Sequence, residues 1–157
     1  MLLLMKDSGE IRYVAQNRKA RHDYEIRYRL EAGIELLGSE VKSIRDRKVN
    51  LSDAYAVVES GEVILRNLHI SPYKMSQERH DPRRPRRLLL HKREIRKLLA
   101  QTEEKGLTLV PLSIYFKGKV AKVELAVAAG RKKYDKRQAI AKAEADRKIK
   151  RALRRNS

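Results

Sequence analysis

Two pairs of strand-patterned runs in this chain are joined by only two residues each. Ser60-Gly61 separates Tyr55–Glu59 from Glu62–Leu68, and Lys117-Gly118 separates Leu107–Phe116 from Lys119–Ala128. A connection that short joins antiparallel neighbours, because a parallel pair needs a crossover of about a dozen residues or more. Val57, Val58, Val63, Ile64 and Leu65 suit strands, and Val123, Leu125 and Val127 alternate with Lys122, Glu124 and Ala126. A third run, Tyr24 to Leu37, places Tyr24, Ile26, Tyr28 and Leu30 on one face and Glu25, Arg27, Arg29 and Glu31 on the other. Gly33 breaks its beat as a bulge or bend would, and Pro111 restricts its own run to an edge or a bulge. Ile11 to Val14 reads as one more short strand.

Helices are few. Gly38-Ser39 opens a short one, with Ser39 as cap, Glu40 in the first turn and Val41 and Ile44 facing inward. Lys92 to Lys105 is the clearest, with His91 as cap, Ile95, Leu98, Leu99 and Thr102 on one face, and Gly106 as a C-terminal stop. Asn17 to Asp23 reads as a basic connector. His69 to Arg87 holds Pro72, Pro82 and Pro85 among arginines and reads as an exposed irregular loop. No strand–helix–strand rhythm appears. The expectation is a mainly β fold with flanking helices. A closed or nearly closed barrel removes exposed strand edges, so an OB-like antiparallel β-barrel leads and a split α+β sheet is second.

The net charge of +18 calls for a polyanionic partner, most often nucleic acid. Half of it lies in Gly130 to Arg155, where twelve basic residues meet three acidic ones. From Gln138 to Leu153 this stretch is Ala-rich and lacks Gly and Pro, so helix is allowed. Its apolar residues Ile140, Ile149 and Leu153 are too sparse to hold it on a core. It is expected to be disordered when free and helical on a polyanion. A solvated surface helix is the plainer reading of such a run. Tyr134, seated among Lys132, Lys133, Lys136 and Arg137, argues instead for a base-stacking platform between phosphate contacts. The organisation is therefore a flexible start (1–10), a body (11–129) and a basic tail (130–157).

Zero cysteines exclude a disulfide framework and thiolate zinc ligands, and agree with a cytoplasmic setting. The apolar runs, Met1 to Met5 and Leu88 to Leu90, are too short to span a bilayer, and the tail has no apolar face for membrane insertion. His22-Asp23 and His80-Asp81 resemble base-and-orienter pairs, but neighbours on an extended segment point opposite ways and no nucleophile motif accompanies them. No metal-ligand spacing and no Gly-rich phosphate loop occur, so neither catalysis nor a cofactor is expected. The tyrosines of the body are expected to pack on strand faces, with Tyr24 and Tyr55 as the two that could present rings to RNA.

Several stretches, taken in order, resemble the SsrA-binding (SmpB) family. They are N-R-K-A-R-H-D-Y at 17–24, E-A-G-I at 31–34, G-S-E-V-K-S-I-R at 38–45 and H-I-S-P-Y at 69–73. D-P-R-R-P-R-R-L-L-L-H-K-R-E-I at 81–95, E-K-G-L-T-L-V-P-L at 104–112 and G-R-K-K-Y-D-K-R at 130–137 complete the set. The apolar start and Pro85 depart from the family pattern. The resemblance implies an OB-like body that binds the tRNA-like domain of transfer-messenger RNA through Asn17, Arg18, Lys19, Arg21 and His22, with Glu31 nearby. It implies delivery of that RNA to the A site of stalled ribosomes for trans-translation. Gly130, Lys132, Tyr134, Asp135, Lys136 and Arg137 would then meet the decoding centre and small-subunit rRNA while the tail probes the empty message channel. Alanyl-tRNA synthetase and elongation factor Tu would be met indirectly, through the RNA. A general RNA chaperone or ribosomal protein is the rival, and an RNA-processing enzyme a third, disfavoured by the missing catalytic constellation.

Overall fold

The computed structural model describes residues 10–75 and 80–155, with the side chains of 131–139 and 155 left aside. Nine strands are present among the described residues: β1 Ile11–Gln16, β2 Tyr24–Ile34, β3 Val49–Asn50, β4 Tyr55–Glu59, β5 Glu62–Arg66, β6 His69–Ile70, β7 Arg86–Leu89, β8 Thr108–Lys117 and β9 Val120–Gly130. Four helices accompany them: α1 Arg18–Asp23, α2 Gly38–Arg45, α3 Lys92–Glu103 and α4 Arg131–Arg155. Every described pairing is antiparallel. The main sheet runs β1-β8-β4-β5-β7-β2-β9, and β9 also pairs with β8. The pairings thus turn back on themselves into a near-closed ring, with β1 appended to β8. The closure is thin in places: β4 meets β8 only at Ala56↔Leu109, and β2 meets β7 only at two positions.

Both pairs of runs are hairpins, but the second turn is Gly118-Lys119 rather than Lys117-Gly118, since Lys117 still pairs with Val120. Ser60 (φ 50°) and Gly61 (φ 77°) both take left-handed φ, as a type I′ turn demands. Inside the ring, Ile44, Val63, Leu65, Leu68, Ile70, Leu109, Ile114, Val123, Leu125 and Val127 are fully buried. Leu98 of α3 joins them at 1% exposure, which contributes roughly 1.5–3 kcal/mol for a buried leucine.

β2 departs from the expected single face. Its register with β9 shifts between Ile26 and Tyr28, not at Gly33. One extra residue there flips the parity, so Tyr24 and Ile26 pack outside the ring while Tyr28 and Leu30 pack on the core. Gly33 serves a different need. It pairs with Leu89 of β7, and a Cβ placed on it would lie 3.1 Å from the Leu89 Cβ. The glycine permits close approach rather than a bulge. The Pro111 expectation holds, since the β8 register shifts between Pro111 and Ser113.

Three local expectations are corrected. Residues 17–23 are not a loop: Asn17 caps a helix. Ser39 is not the cap of α2. Leu37 holds that place, its backbone N–H donating to Glu40 Oε1 at 2.8 Å, while the Ser39 hydroxyl meets His80 Nδ1 at 3.0 Å. The segment after Ile70 is not simply exposed. Arg86 is fully buried, its Nε donating to Glu40 Oε2 (2.5 Å) and its Nη1 to the Leu68 carbonyl (2.6 Å). Arg84 Nη2 donates to the other Glu40 oxygen at 2.6 Å. Glu40 is itself fully buried. Burial alone would raise its carboxyl pKa, but the hydrogen bonds from Arg84, Leu37 and Arg86 outweigh it and hold the pKa below the usual range. This buried cluster staples α2 to the proline-rich segment. Residues 76–79 of that segment, and the apolar start Met1–Met5, lie outside the described residues.

Candidate nucleic-acid interface

α1 is short, so its hold on the body depends on two residues, Asn17 and Ala20. Ala20 is the inward contact, 3% exposed against Val110, Leu112, Ala126 and Ala128 on the outer face of β8 and β9. Asn17 is the anchor. Its Oδ1 accepts from the Ala20 N–H (3.1 Å), and its Nδ2 donates to the Pro111 carbonyl (3.0 Å) and the Leu51 carbonyl (3.2 Å). Its own backbone N–H donates to Leu112 O at 2.7 Å. At 5% exposure Asn17 faces protein, not solvent. It holds three elements in register.

What this anchoring presents is charge. Arg18, Lys19, Arg21 and His22 are all exposed. Among the described residues Arg18 and Arg21 have no carboxylate partner, and Lys19 is only 3.9 Å from Asp53 in an open pair. Arg18 shares a depression with Tyr13, Gln16 and Arg47, so Arg47 joins the patch across the fold. On the other side of α1 a hollow of about 290 Å³ is lined by Lys19, Tyr24, Ser52, Asp53 and Tyr55 among others. Tyr24 is half-buried and Tyr55 is 39% exposed. Two partly exposed tyrosines beside a cation suit a nucleobase. His22 Nδ1 lies 3.2 Å from Asp23 Oδ1. The pair therefore does meet, because the segment is helical rather than extended, but it stands in solvent.

Glu31 lies on the same outer surface of the sheet, across β2 and β9 from α1. The Tyr115 hydroxyl donates to its Oε2 at 2.5 Å, and Lys117 Nζ is 3.7 Å from its Oε1. The Tyr115 hydrogen bond, aided by Lys117 and Lys122, keeps the Glu31 carboxyl below the usual range. Burial and the same carboxylate push the Tyr115 phenol well up. Tyr13 packs on Tyr115 with ring centroids 5.4 Å apart. A fixed anion ringed by tyrosine and lysine can accept from an RNA 2′-hydroxyl or base amine, which phosphate-binding cations cannot do. Glu31 was legible only by resemblance; Tyr115 lies 84 residues away, and no local pattern joins them.

The tail begins where this surface ends. Tyr24, directly after α1, pairs with Gly130, directly before α4. α4 starts at Arg131, ahead of the Ala-rich Gln138 to Leu153 stretch where composition allows helix, and so takes in the whole G-R-K-K-Y-D-K-R run after its glycine. From Ile140 to Arg154 every residue is exposed. The side chains of Lys132, Tyr134, Asp135, Lys136 and Arg137 lie outside the described residues. Among the described residues no helix is long and apolar enough to cross a membrane, and no cluster of three or more His, Asp or Glu side chains could hold a metal ion.

A family model for the SmpB protein matches residues 14–155. The SsrA-binding protein of Halothermothrix orenii is 57% identical over 145 residues, covering 92% of this chain and 94% of that one. Its counterpart in Geobacillus thermodenitrificans is 57% identical over 147 residues, covering 93% and 95%. A solved chain from "tmRNA-SmpB: a journey to the center of the bacterial ribosome" shares 56% identity and a TM-score of 0.62, covering 74% of this chain and 82% of that one.

Proposed function

The chain belongs to the SmpB family, and from that premise we propose that its body holds the tRNA-like domain of transfer-messenger RNA while its tail enters the empty message channel of a stalled ribosome. It is a non-catalytic RNA-binding partner in trans-translation. The observation that carries the division of labour is the pairing of Tyr24 with Gly130, which roots a solvent-exposed cationic helix beside an exposed cationic patch. The near-closed ring of strands supports the finer reading of the body as an OB-like barrel. Residues 11–129 form that body and 130–157 the tail.

In this reading Arg18, Lys19, Arg21 and His22 seat phosphates. Asn17 fixes the helix that carries them, and Glu31 accepts a hydrogen bond from the RNA. Folded RNA is then recognised by shape and backbone rather than by sequence. α4, at 25 residues, is about 37 Å long at a rise of roughly 1.5 Å per residue. With cations around it and no apolar stripe, it can lie in a channel walled by rRNA, with Gly130, Lys132, Tyr134, Asp135, Lys136 and Arg137 nearest the decoding centre. α4 has no core to hold it and its charges repel, so the helix is marginal when free, and phosphate contacts offset the entropy of keeping it ordered. An occupied channel denies it those contacts. Alanyl-tRNA synthetase and elongation factor Tu join through the RNA, and the setting is the cytoplasm.

The test ends the chain at Gly130, which leaves β9 whole. The shortened protein binds the tRNA-like domain with wild-type affinity and fails to support peptide tagging on ribosomes with truncated message. Equal loss of both would overturn the division. A general RNA binder is separated by selectivity: it would hold elongator tRNA as tightly as the tRNA-like domain.

A further inference from the structure

A second cationic site lies at the far end of β1. Arg12 of β1 and Arg45 of α2 both lie over the ring of Phe116, their guanidinium carbons 5.5 and 5.8 Å from its centroid. The ring is 2% exposed, so neither arginine is there to leave it free for stacking. Around them opens a cavity of about 420 Å³ lined by Glu10, Arg12, Arg45, Phe116, Gly118 and Lys119. Gly118, at φ 63°, turns the β8–β9 hairpin so that Lys119 reaches this rim. Three cations therefore line the cavity against one acid. Among the described residues, neither guanidinium has a carboxylate within ion-pair distance, and Lys119 has none either.

Two guanidiniums brought to one ring repel each other. Placement of Arg45 in the last turn of α2 offsets part of that through the helix dipole, and the ring's negative face offsets more. The remaining positive field is directed into an open cavity. Guanidinium forks match phosphate oxygens two at a time, and both guanidiniums lie over the same buried ring. The size admits a phosphate with its flanking ribose. Nothing in the lining is a nucleophile or a metal-ligand set.

The site adjoins the α1 depression, which is lined by Tyr13 and Arg47, but its cations lie away from those of α1 itself. Arg12 near the start of β1 and Asn17 just past its end are five residues apart, about 16 Å at roughly 3.3 Å per residue. Arg12 also sits opposite Phe116, whose side chain belongs to the core, whereas α1 packs on the outer face. An RNA strand lying on α1 cannot reach both with one phosphate.

We propose that Arg12, Arg45 and Lys119 form a second RNA phosphate site, at the mouth of the strand ring, used while the α1 patch is occupied. The inference rests on the chain's role between transfer-messenger RNA and the ribosome, and the phosphate can come from either RNA.

The experiment uses the full chain as R12Q/R45Q/K119Q and measures equilibrium binding to the tRNA-like domain and, separately, to vacant ribosomes, across a salt series. Each lost phosphate contact flattens the log–log salt slope by about 0.7–0.9. The slope for the RNA that fills the site falls by about two, and which of the two slopes falls identifies the source. Unchanged slopes for both RNAs, in a protein that melts like wild type, overturn the proposal. R12K/R45K keeps the charges and guards against a folding artefact: it retains the wild-type slope. If it loses the slope as the glutamine variant does, the cavity acts through packing and the proposal fails. Loss of slope on neutralising Arg18, Lys19 and Arg21 reads the α1 patch independently. Its absence would overturn the functional reading while leaving the cavity's own slope to be judged.

Discussion

Asn17 separates two explanations of the same residue. If it matters as a helix cap, Asp should replace it, since the two cap equally well. The structure says otherwise. Oδ1 must face the Ala20 N–H, so Nδ2 must face the carbonyls of Pro111 and Leu51. Asn17→Ala loses the cap, about 1 kcal/mol, and two hydrogen bonds of about 1 kcal/mol each. Leu51 O keeps a bond from the Ala54 N–H at 3.0 Å, which limits the loss at that carbonyl. The total is about 2–3 kcal/mol, or roughly 5–10 °C in melting temperature for a chain of this size. Asn17→Asp keeps the cap but turns a carboxylate oxygen toward two carbonyl oxygens in a 5% exposed site, so it destabilises at least as much as Ala. The assay is thermal melting of wild type, Asn17→Ala and Asn17→Asp, followed by binding of the tRNA-like domain well below the lowest melting point. Affinity falls as α1 frays, but the salt slope stays at the wild-type value because no cation has been removed. An Asn17→Asp protein that melts with wild type, or an Asn17→Ala protein with a flattened slope, would refute the reasoning.

Glu40→Gln removes the counter-charge of a fully buried Arg86 and lowers stability by about 3–5 kcal/mol, read by denaturant unfolding. Replacing Glu40 and Arg86 together by methionine restores most of the loss in the same assay. Tyr115→Phe takes away the hydrogen bond that chiefly holds the Glu31 carboxyl down, so NMR titration shows that group titrating nearer the ordinary carboxylate value. In wild type the depressed folded-state pKa adds stability above the unfolded value, lost as pH falls through the folded one; the substitution shrinks that acid-linked loss. Tyr134→Ala, whose side chain lies outside the described residues, slows single-turnover peptidyl transfer on truncated message by roughly ten- to hundredfold, from about 1–3 kcal/mol of stacking. Tyr134→Phe retains most of the rate.

Much of the fold could be read locally. The two hairpins, α3 with its Gly106 stop, and the Pro111 irregularity follow from turn chemistry and from what proline cannot do. What escaped was set by contacts distant in sequence. Residues 17–23 carry too few apolar positions to announce a helix; Ala20 suffices only because β8 and β9 supply a ready outer face. The bulge in β2 falls at Arg27, where no Gly or Pro marks it, because the partner strand must serve the core on one side and α1 on the other. The Glu40–Arg86 pair spans 46 residues, and an arginine in a proline-rich run looks exposed until a buried acid is found for it. The cationic face of α1 was legible from charge alone, whereas its aim depended on Asn17.

Strand order explains why patch and tail sit together. β2 and β9 pair from Tyr24↔Gly130 onward, so whatever precedes β2 and whatever follows β9 leave the ring at the same end. Facing residues in an antiparallel pair stand about 5 Å apart, so α1 and α4 diverge from almost one point. A phosphate-binding surface and a channel-probing helix built on separate ends of a domain would need a rigid path between them to keep one aligned with the other. Here the path is a single pair of facing residues in one of the two longest pairings of the sheet. On the proposed reading, an RNA seated on α1 sets the direction from which α4 leaves the ring, because no linker separates β9 from α4. Arg12, at the opposite end of β1 from α1, stands with Arg45 and Lys119 away from that exit and leaves it clear.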